Sequence, residues 1–175
     1  MLEELYIKRA TPADVPALVA LVNSAYRGEQ SKQGWTTEAH LLGGQRTDAE
    51  ALLDLLTPDE ATMLLCTTAE GQLCGSVYLQ LQGDTLYLGM LSVAPNRQAQ
   101  GIGKRLLAAA EAHAYSYGCS RLRITVISVR AELIAWYERH GYHQTGETEP
   151  FPTDTRFGIP RQPLELLVME KNLAG

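Results

Sequence analysis

From Thr62 onward the spacing of apolar residues changes period several times, and that change limits what the chain can fold into. Three runs, Thr62–Thr67, Leu73–Leu81 and Thr85–Val93, read as strands separated by turn chemistry at Glu70-Gly71 and Gly83-Asp84. They predict an antiparallel meander. The period then becomes helical. Between Gly101 and Tyr117, Leu106, Leu107, Ala110, His113, Ala114 and Tyr117 share one face, and Gly118 stands where a helix ends. Arg121–Ile127 alternates strictly, Ala131–His140 is helical up to Gly141, and Tyr142–Glu147 and Leu164–Met169 read as strands. A meander continued by β-α-β-α-β requires a mixed sheet with helices on both faces. The expected class is α/β (α+β), with a mostly antiparallel sheet of about seven strands.

The first third of the chain adds a strand and two helices. Leu5–Arg9 is the strand. Thr11-Pro12-Ala13-Asp14 carries a capping residue, a first-turn proline and a capping-box acid, and Val15, Leu18, Val19, Val22 and Tyr26 follow at helical spacing. Asp48 through Leu56 is the second helix. Gly28–Gly44, with Trp35 and His40, reads as a long loop or broken helix. Glu149–Pro163 carries four prolines and reads as a loop. Segments of that length inside a compact domain commonly serve as lids or binding loops. The 175 residues suit one domain, 1–175, burying roughly 70% of its unfolded surface without staples.

Charge and cysteine usage exclude several classes of function. The net charge of −5 gives no basic face for nucleic acid or an anionic membrane. Cys66, Cys74 and Cys119 form no C-x-x-C pair, so neither a disulfide scaffold nor a zinc ribbon is expected, and the thiols read as small buried side chains. His140 and His143 lack a third ligand, so no metal site is expected. The acidic Met1–Leu5 segment is unlike a signal peptide, and no apolar run reaches the ~18 residues of a membrane span. A reduced cytoplasmic setting is expected.

The chemistry concentrates between Leu88 and Leu107. A strand ends at Val93-Ala94-Pro95, a polar turn holds Gln98, Gly101 and Gly103, and a helix begins at once. First-turn N–H groups of such a helix form a phosphate site, and glycines let a pyrophosphate approach the backbone. The spacing is neither a P-loop, which needs G-x-x-x-x-G-K-[ST], nor a G-x-G-x-x-G dinucleotide turn. Arg97, Lys104 and Arg105 make the turn a basic exception in an acidic chain.

Here the chain resembles the GNAT (Gcn5-related N-acetyltransferase) superfamily. The pattern Gln98-x-x-Gly101-x-Gly103, the preceding Val93-Ala94-Pro95, the following Leu106-Leu107 and a second element, Trp136-Tyr137-Glu138-Arg139-His140-Gly141-Tyr142, carry the resemblance. It implies the acyl-CoA N-acyltransferase fold, acetyl-CoA (coenzyme A) as donor, and a primary amine of a small molecule or peptide as acceptor, attacked directly in a ternary complex. It implies that backbone N–H groups of Gln98, Ala99, Gly101, Gly103 and Lys104 hold the pyrophosphate, with Gln100 and Ile102 in the same turn. Leu91-Ser92-Val93 would pair with the pantetheine arm where this strand splays from its neighbour. A backbone N–H at Leu91 or beside it would bind the developing oxyanion. Tyr137 would protonate the departing thiolate. Many relatives dimerise, so a homodimer is left open.

The sequence departs from the family in three places, one of them Leu133, which stands where an Ala is usual four residues before the tyrosine. Arg130 stands where many relatives have a cofactor-contacting Asn, and it reads either as a cofactor contact or as a solvated charge. Many relatives carry a Glu base on the central strand, but Leu86, Leu88 and Met90 are apolar, and Tyr87 and Ser92 are not strong bases. Glu38 and His40 are the remaining candidates, beside a water chain. The missing strand Glu keeps a second reading alive: a non-catalytic acyl-CoA-binding or sensor module. Trp35 reads equally as an aromatic over the acceptor or as a plug on the first helix.

Overall fold

A seven-stranded sheet in the order β1-β3-β4-β5-β6-β9-β7 forms the middle of the protein. In chain order the strands are β1 (Leu5–Arg9), β2 (Leu42–Gly43), β3 (Ala61–Thr68), β4 (Leu73–Gln82), β5 (Thr85–Val93), β6 (Arg121–Ile127), β7 (His143–Pro150), β8 (Ile159–Pro160) and β9 (Glu165–Asn172). The helices are α1 (Val15–Tyr26), α2 (Ala49–Leu56), α3 (Ile102–Ser116) and α4 (Ala131–Arg139). The computed structural model describes residues 4–26, 42–43, 47–97, 100–150, 159–160 and 164–173. Among the described residues, β5 and β6 alone run parallel; the other neighbours in the sheet are antiparallel.

The helices divide between the faces as the period changes predicted. α3 and α4 cover one face through Ile102, Leu106, Leu107, Ala110, Ala114, Ile134 and Tyr137, against Val77, Leu86, Leu88, Leu122 and Ile124. α1 and α2 cover the other through Val15, Leu18, Val22 and Leu52, against Met63, Leu65 and Tyr78. Complete burial of one such aliphatic side chain contributes about 1.5–3 kcal/mol. Local chemistry sets the helix starts. Asp48 Oδ1 accepts from Ala51 N at 2.8 Å at the head of α2, and Thr11 N donates to Asp14 Oδ2 at 2.8 Å ahead of α1. Pro12–Asp14 is a short 3-10 turn, so α1 itself begins at Val15.

Several expectations need correction. The expected loop Glu149–Pro163 begins inside β7, which runs to Pro150, and Ile159–Pro160 is a strand. That strand pairs antiparallel with Leu42–Gly43, inside the segment read as a loop or broken helix. Pro160 lacks an N–H but still fits a strand pairing along one edge. The two long segments therefore touch each other. His113 and Tyr117 do not belong to the buried stripe of α3: His113 is half-buried, Tyr117 is exposed, and their rings pack at 4.8 Å. Arg123 on β6 holds Glu170 on β9 at 2.8 and 2.9 Å. Trp35, Glu38 and His40 lie outside the described residues. All three cysteines are buried, as expected. No helix among the described residues is long and apolar enough to cross a membrane.

Candidate active site

The site begins with a failure of pairing. β5 and β6 pair at only three positions, Thr85↔Arg121, Leu86↔Leu122 and Tyr87↔Arg123. Beyond these both strands continue, β5 to Val93 and β6 to Ile127, without pairing to each other. The sheet is therefore split in its centre.

A bulge in β5 accompanies the split. Ser76 faces Ser92 and Tyr78 faces Gly89, so Met90 and Leu91 together oppose Val77. Met90 takes φ +52, the left-handed region that bulky residues rarely visit. An extra residue bends its strand and increases the twist, which carries the end of β5 away from β6. Ser92 is fully buried, and its Oγ donates to Met90 O at 2.9 Å, so this hydroxyl holds the bulge. Leu91 and Val93 turn into the core under α3 and α4.

β5 leads through the 3-10 turn Pro95–Arg97 into α3. Ala94 N donates to Cys74 O at 3.0 Å, which ties this exit to β4. Gly101 caps the helix at φ +79, and Arg105 N donates back to Gly101 O at 3.0 Å. The preceding N–H groups of Ile102, Gly103 and Lys104 have no acceptor within the helix. A Cβ on Gly101 would meet nothing within 4 Å, so the approach to this helix end is open. Gly103 serves a different purpose: its missing Cβ would lie 3.2 Å from the indole of Trp136. Ile102 anchors the turn from below, 1% exposed, with Gly75 of β4 beneath it. Gln100, Lys104 and Arg105 are exposed. Gln98 and Ala99 lie outside the described residues.

Trp136 links this turn to Tyr137. The Trp136 and Tyr137 rings meet edge-on at 5.1 Å, and Tyr142 meets Tyr137 edge-on at 5.5 Å. Tyr142 N and His140 N both donate to Tyr137 O, at 3.1 and 2.9 Å. Tyr137 is thus fixed from two sides, 7% exposed, on the α3–α4 face of the split sheet. Burial pushes the Tyr142 phenol well above its ordinary range, so it stays protonated. Arg130 caps α4 and is 7% exposed, which removes its reading as a solvated charge.

The other face of the split is lined differently. Tyr87 leans along β5 over Gly89, where a Cβ would meet its ring at 3.0 Å. Its hydroxyl lies 3.5 Å from Thr125 Oγ1 on β6. Tyr78, beneath it, is committed elsewhere, its hydroxyl donating to Leu55 O at 3.3 Å.

Sequence reasoning missed the bulge, the Trp136–Gly103 contact and the Tyr87–Thr125 pair. Gly89 was the available signal for the first and third, because a glycine inside a strand marks a bulge or a close approach.

With this geometry in hand, the comparisons are specific. The sequence pattern of the Acetyltransferase (GNAT) family matches residues 21–142. A mycothiol acetyltransferase of Clavibacter michiganensis subsp. michiganensis (strain NCPPB 382) is 32% identical over 84 residues, 48% of this chain. The match spans 28% of that relative's length. The ribosomal-protein-S18-alanine N-acetyltransferase from Escherichia coli shares the fold at a TM-score of 0.72 and 18% identity, over 98% of this chain and 97% of that one. The ribosomal-protein-alanine N-acetyltransferase from Brucella melitensis superposes at a TM-score of 0.69 and 26% identity, over 96% of this chain and 99% of that one. A split, bulged central strand running into a glycine-capped helix, under a family pattern that covers most of the chain, makes this protein a member of the GNAT acetyltransferase family.

Proposed function

We propose that the protein is an acetyl-CoA-dependent N-acetyltransferase acting on a primary amine of a small molecule or peptide. The observation that carries the reading is the split between β5 and β6, open beyond Tyr87 and Arg123 and leading to the exposed head of α3. The residues present suit the donor. A pyrophosphate needs clustered backbone N–H groups and an open approach; the first-turn N–H groups of Ile102, Gly103 and Lys104 supply the one, and Gly101, with nothing within 4 Å of a Cβ, supplies the other. In sequence, Gln98, Ala99 and Gln100 directly precede this glycine-capped start. Arg97, Lys104 and Arg105 add positive charge nearby. An extended pantetheine arm needs a strand edge, which Leu91, Ser92 and Val93 supply beside the split. When bound, acetyl-CoA supplies an activated thioester.

The remaining work falls to this chain's own groups. Tyr137, held between Trp136 and Tyr142, is the proposed general acid, giving its phenolic proton to the departing thiolate. The bulge at Met90–Leu91 is the proposed source of the oxyanion donor. Arg130, buried at the head of α4, is the proposed cofactor contact on the far side. The strand pair Leu42–Gly43 with Ile159–Pro160 joins the two long segments, which supports their framing the acceptor together. Two neighbours of the same fold acetylate ribosomal-protein alanine, so an alanine-initiated peptide is a reasonable first acceptor.

The test measures free thiol released from acetyl-CoA with a panel holding an alanine-initiated hexapeptide, Nα-acetyl-lysine and spermidine. Wild type should turn over at least one of them. Tyr137→Phe should lower kcat by about 10²–10⁴-fold while still binding acetyl-CoA. Acetyl-CoA binding without turnover on any amine would favour the sensor module instead. Equal thermal stabilisation by ATP or NAD would remove the acyl-CoA reading altogether.

A further inference from the structure

We infer that Tyr87 and Thr125 form the seat for the acceptor nitrogen, and that this seat takes an amine that arrives neutral, such as a peptide or amino-acid α-amine. The inference rests on the acetyltransferase reading above and adds to it the acceptor class and the residues that orient it.

Tyr137 belongs to the core under α3 and α4, together with Leu86, Leu88, Leu122 and Ile124. Side chains alternate along a strand, so Tyr87 on β5 and Arg123 and Thr125 on β6 point to the opposite face. Tyr87 packs against the α1–α2 core there. The split is therefore bracketed: the proposed acid for the leaving thiolate lies on one face, and two hydroxyls lie on the other. The nitrogen attacks one face of the planar thioester carbonyl while the sulfur lies in its plane, so the seat for nitrogen and the acid for the sulfur occupy different positions.

Position along the strand agrees. Tyr87 is the last β5 residue paired with β6, and Thr125 lies two residues beyond its partner Arg123. Because Gly89 has no side chain, the Tyr87 ring lies along the strand toward the split. Its oxygen reaches across to Thr125 at the level where the strands have parted. At 3.5 Å the two oxygens are at the outer limit of a hydrogen bond. Each hydroxyl retains acceptor capacity. That spacing suits two oxygens that share a third partner, here an amine N–H.

The chemistry of the seat selects the amine. β5 offers no carboxylate along Thr85–Val93. Among the described residues, the charged groups facing the pair are already engaged: Arg123 and Glu170 hold each other at 2.8 and 2.9 Å, and Arg121 lies 3.4 Å from Asp84. His143 is exposed beside Glu170 across the β7–β9 pairing. Tyr78 is held protonated, first by burial and then by its nearness to Tyr87. The α1 and α2 residues of this core are Val15, Leu18, Val22, Ala25 and Leu52. Two hydroxyls accept hydrogen bonds from an amine but do not take its proton at neutral pH. An α-amine with pKa about 7.7–8.0 is about one-third neutral at pH 7.5, and a lysine amine with pKa about 10.4 about one part in a thousand. The attacking lone pair forms the N–C bond as the C–S bond breaks. The proton shed by nitrogen passes to water, and the Tyr137 hydroxyl protonates the thiolate and is reprotonated by solvent. The hydrogen bond to Tyr87 strengthens as nitrogen gains positive charge, so it favours the transition state.

The experiment compares wild type, Tyr87→Phe and Thr125→Val on an alanine-initiated, lysine-free hexapeptide and on Nα-acetyl-lysine, from pH 6.5 to 9.5. Tyr87→Phe keeps the ring over Gly89 and removes only the hydroxyl. Its peptide kcat/KM should fall about 10–100-fold, with the acetyl-CoA KM and Tm unchanged. Thr125→Val should show a smaller loss in the same parameter. In wild type, kcat/KM should rise with pH to a plateau set by the pKa of the amine, and the hexapeptide should exceed Nα-acetyl-lysine at pH 7.5. Peptide turnover by Tyr87→Phe within twofold of wild type overturns the seat. So does a rise in kcat/KM centred well below the amine pKa, which would reveal a carboxylate base, or a preference for the lysine amine. If wild type acetylates neither of these amines but does acetylate spermidine, the seat fails and the acetyltransferase reading stands; if it binds acetyl-CoA and acetylates none of the three, both fail.

Discussion

Gly75→Ala tests how the core holds the cofactor turn. A Cβ at Gly75 would lie 2.7 Å from Ile102 Cγ2, 3.0 Å from Leu106 Cδ1 and 3.2 Å from Ser92 O. Carbon pairs rest at about 3.5–4.0 Å, so both helix side chains must retreat by about 1 Å. Sideways relief is blocked, because Ser92 O is backbone on the neighbouring strand and both side chains are buried on all sides. The relief left is to lift the first turn of α3 off the sheet. Overpacking of this kind costs about 1–3 kcal/mol. If cofactor binding must pull the helix back, the full cost appears in affinity, a loss of about 5- to 150-fold. The assay is calorimetric titration with acetyl-CoA, alongside urea unfolding. Gly71→Ala is the control: Gly71, unlike Gly75, has positive φ, at +85, and a Cβ there meets nothing within 4 Å. It should lose about 1–2 kcal/mol of stability through backbone strain alone and bind acetyl-CoA as wild type does. Wild-type affinity in Gly75→Ala would refute the claim that the packing of Ile102 and Leu106 on β4 positions the turn.

Two further outcomes follow from buried titratable groups. Burial, with Cys74 alongside, pushes the Cys66 thiol up to about 12, and burial also raises Cys119. Iodoacetamide at pH 8 should therefore leave all three cysteines unmodified in the native protein and alkylate all three in urea, as read by intact mass; rapid native labelling would contradict the packing. His113 is lowered from its ordinary value, first by burial and then by Arg9. The unfolded chain then binds the extra proton, so stability from this group is complete well above pH 6.5 and declines as pH falls through 6.5. His113→Gln should shrink the loss of Tm between pH 7.5 and 5.5, and an unchanged loss would contradict this.

Periodicity made the framework readable. The meander, α3, β6 and α4 each carry apolar spacing that admits one assignment, and the structure reproduces them within a residue or two at each end. The turn at Gly101 and Gly103 was readable because glycine spacing records where the backbone needs room. What escaped depends on contacts between distant residues. No composition rule puts Met90 at φ +52; only Gly89 beside it hints at a bulge. Gly103 was read as space for a pyrophosphate, whereas the indole of Trp136 fills that space from another helix. Arg130 was open between a cofactor contact and a solvated charge, and only the fold shows that it is buried. The pairing of Leu42–Gly43 with Ile159–Pro160 joins two segments that carry no strand pattern of their own.

A crystal structure with coenzyme A bound would test the central claim most directly. The account predicts the pyrophosphate on the backbone N–H groups at the head of α3, around Gly101–Lys104, with the pantetheine arm entering the split beside Leu91–Val93 and its sulfur toward Tyr137. Coenzyme A bound away from the β5–β6 split, or a sulfur directed away from Tyr137, would contradict it.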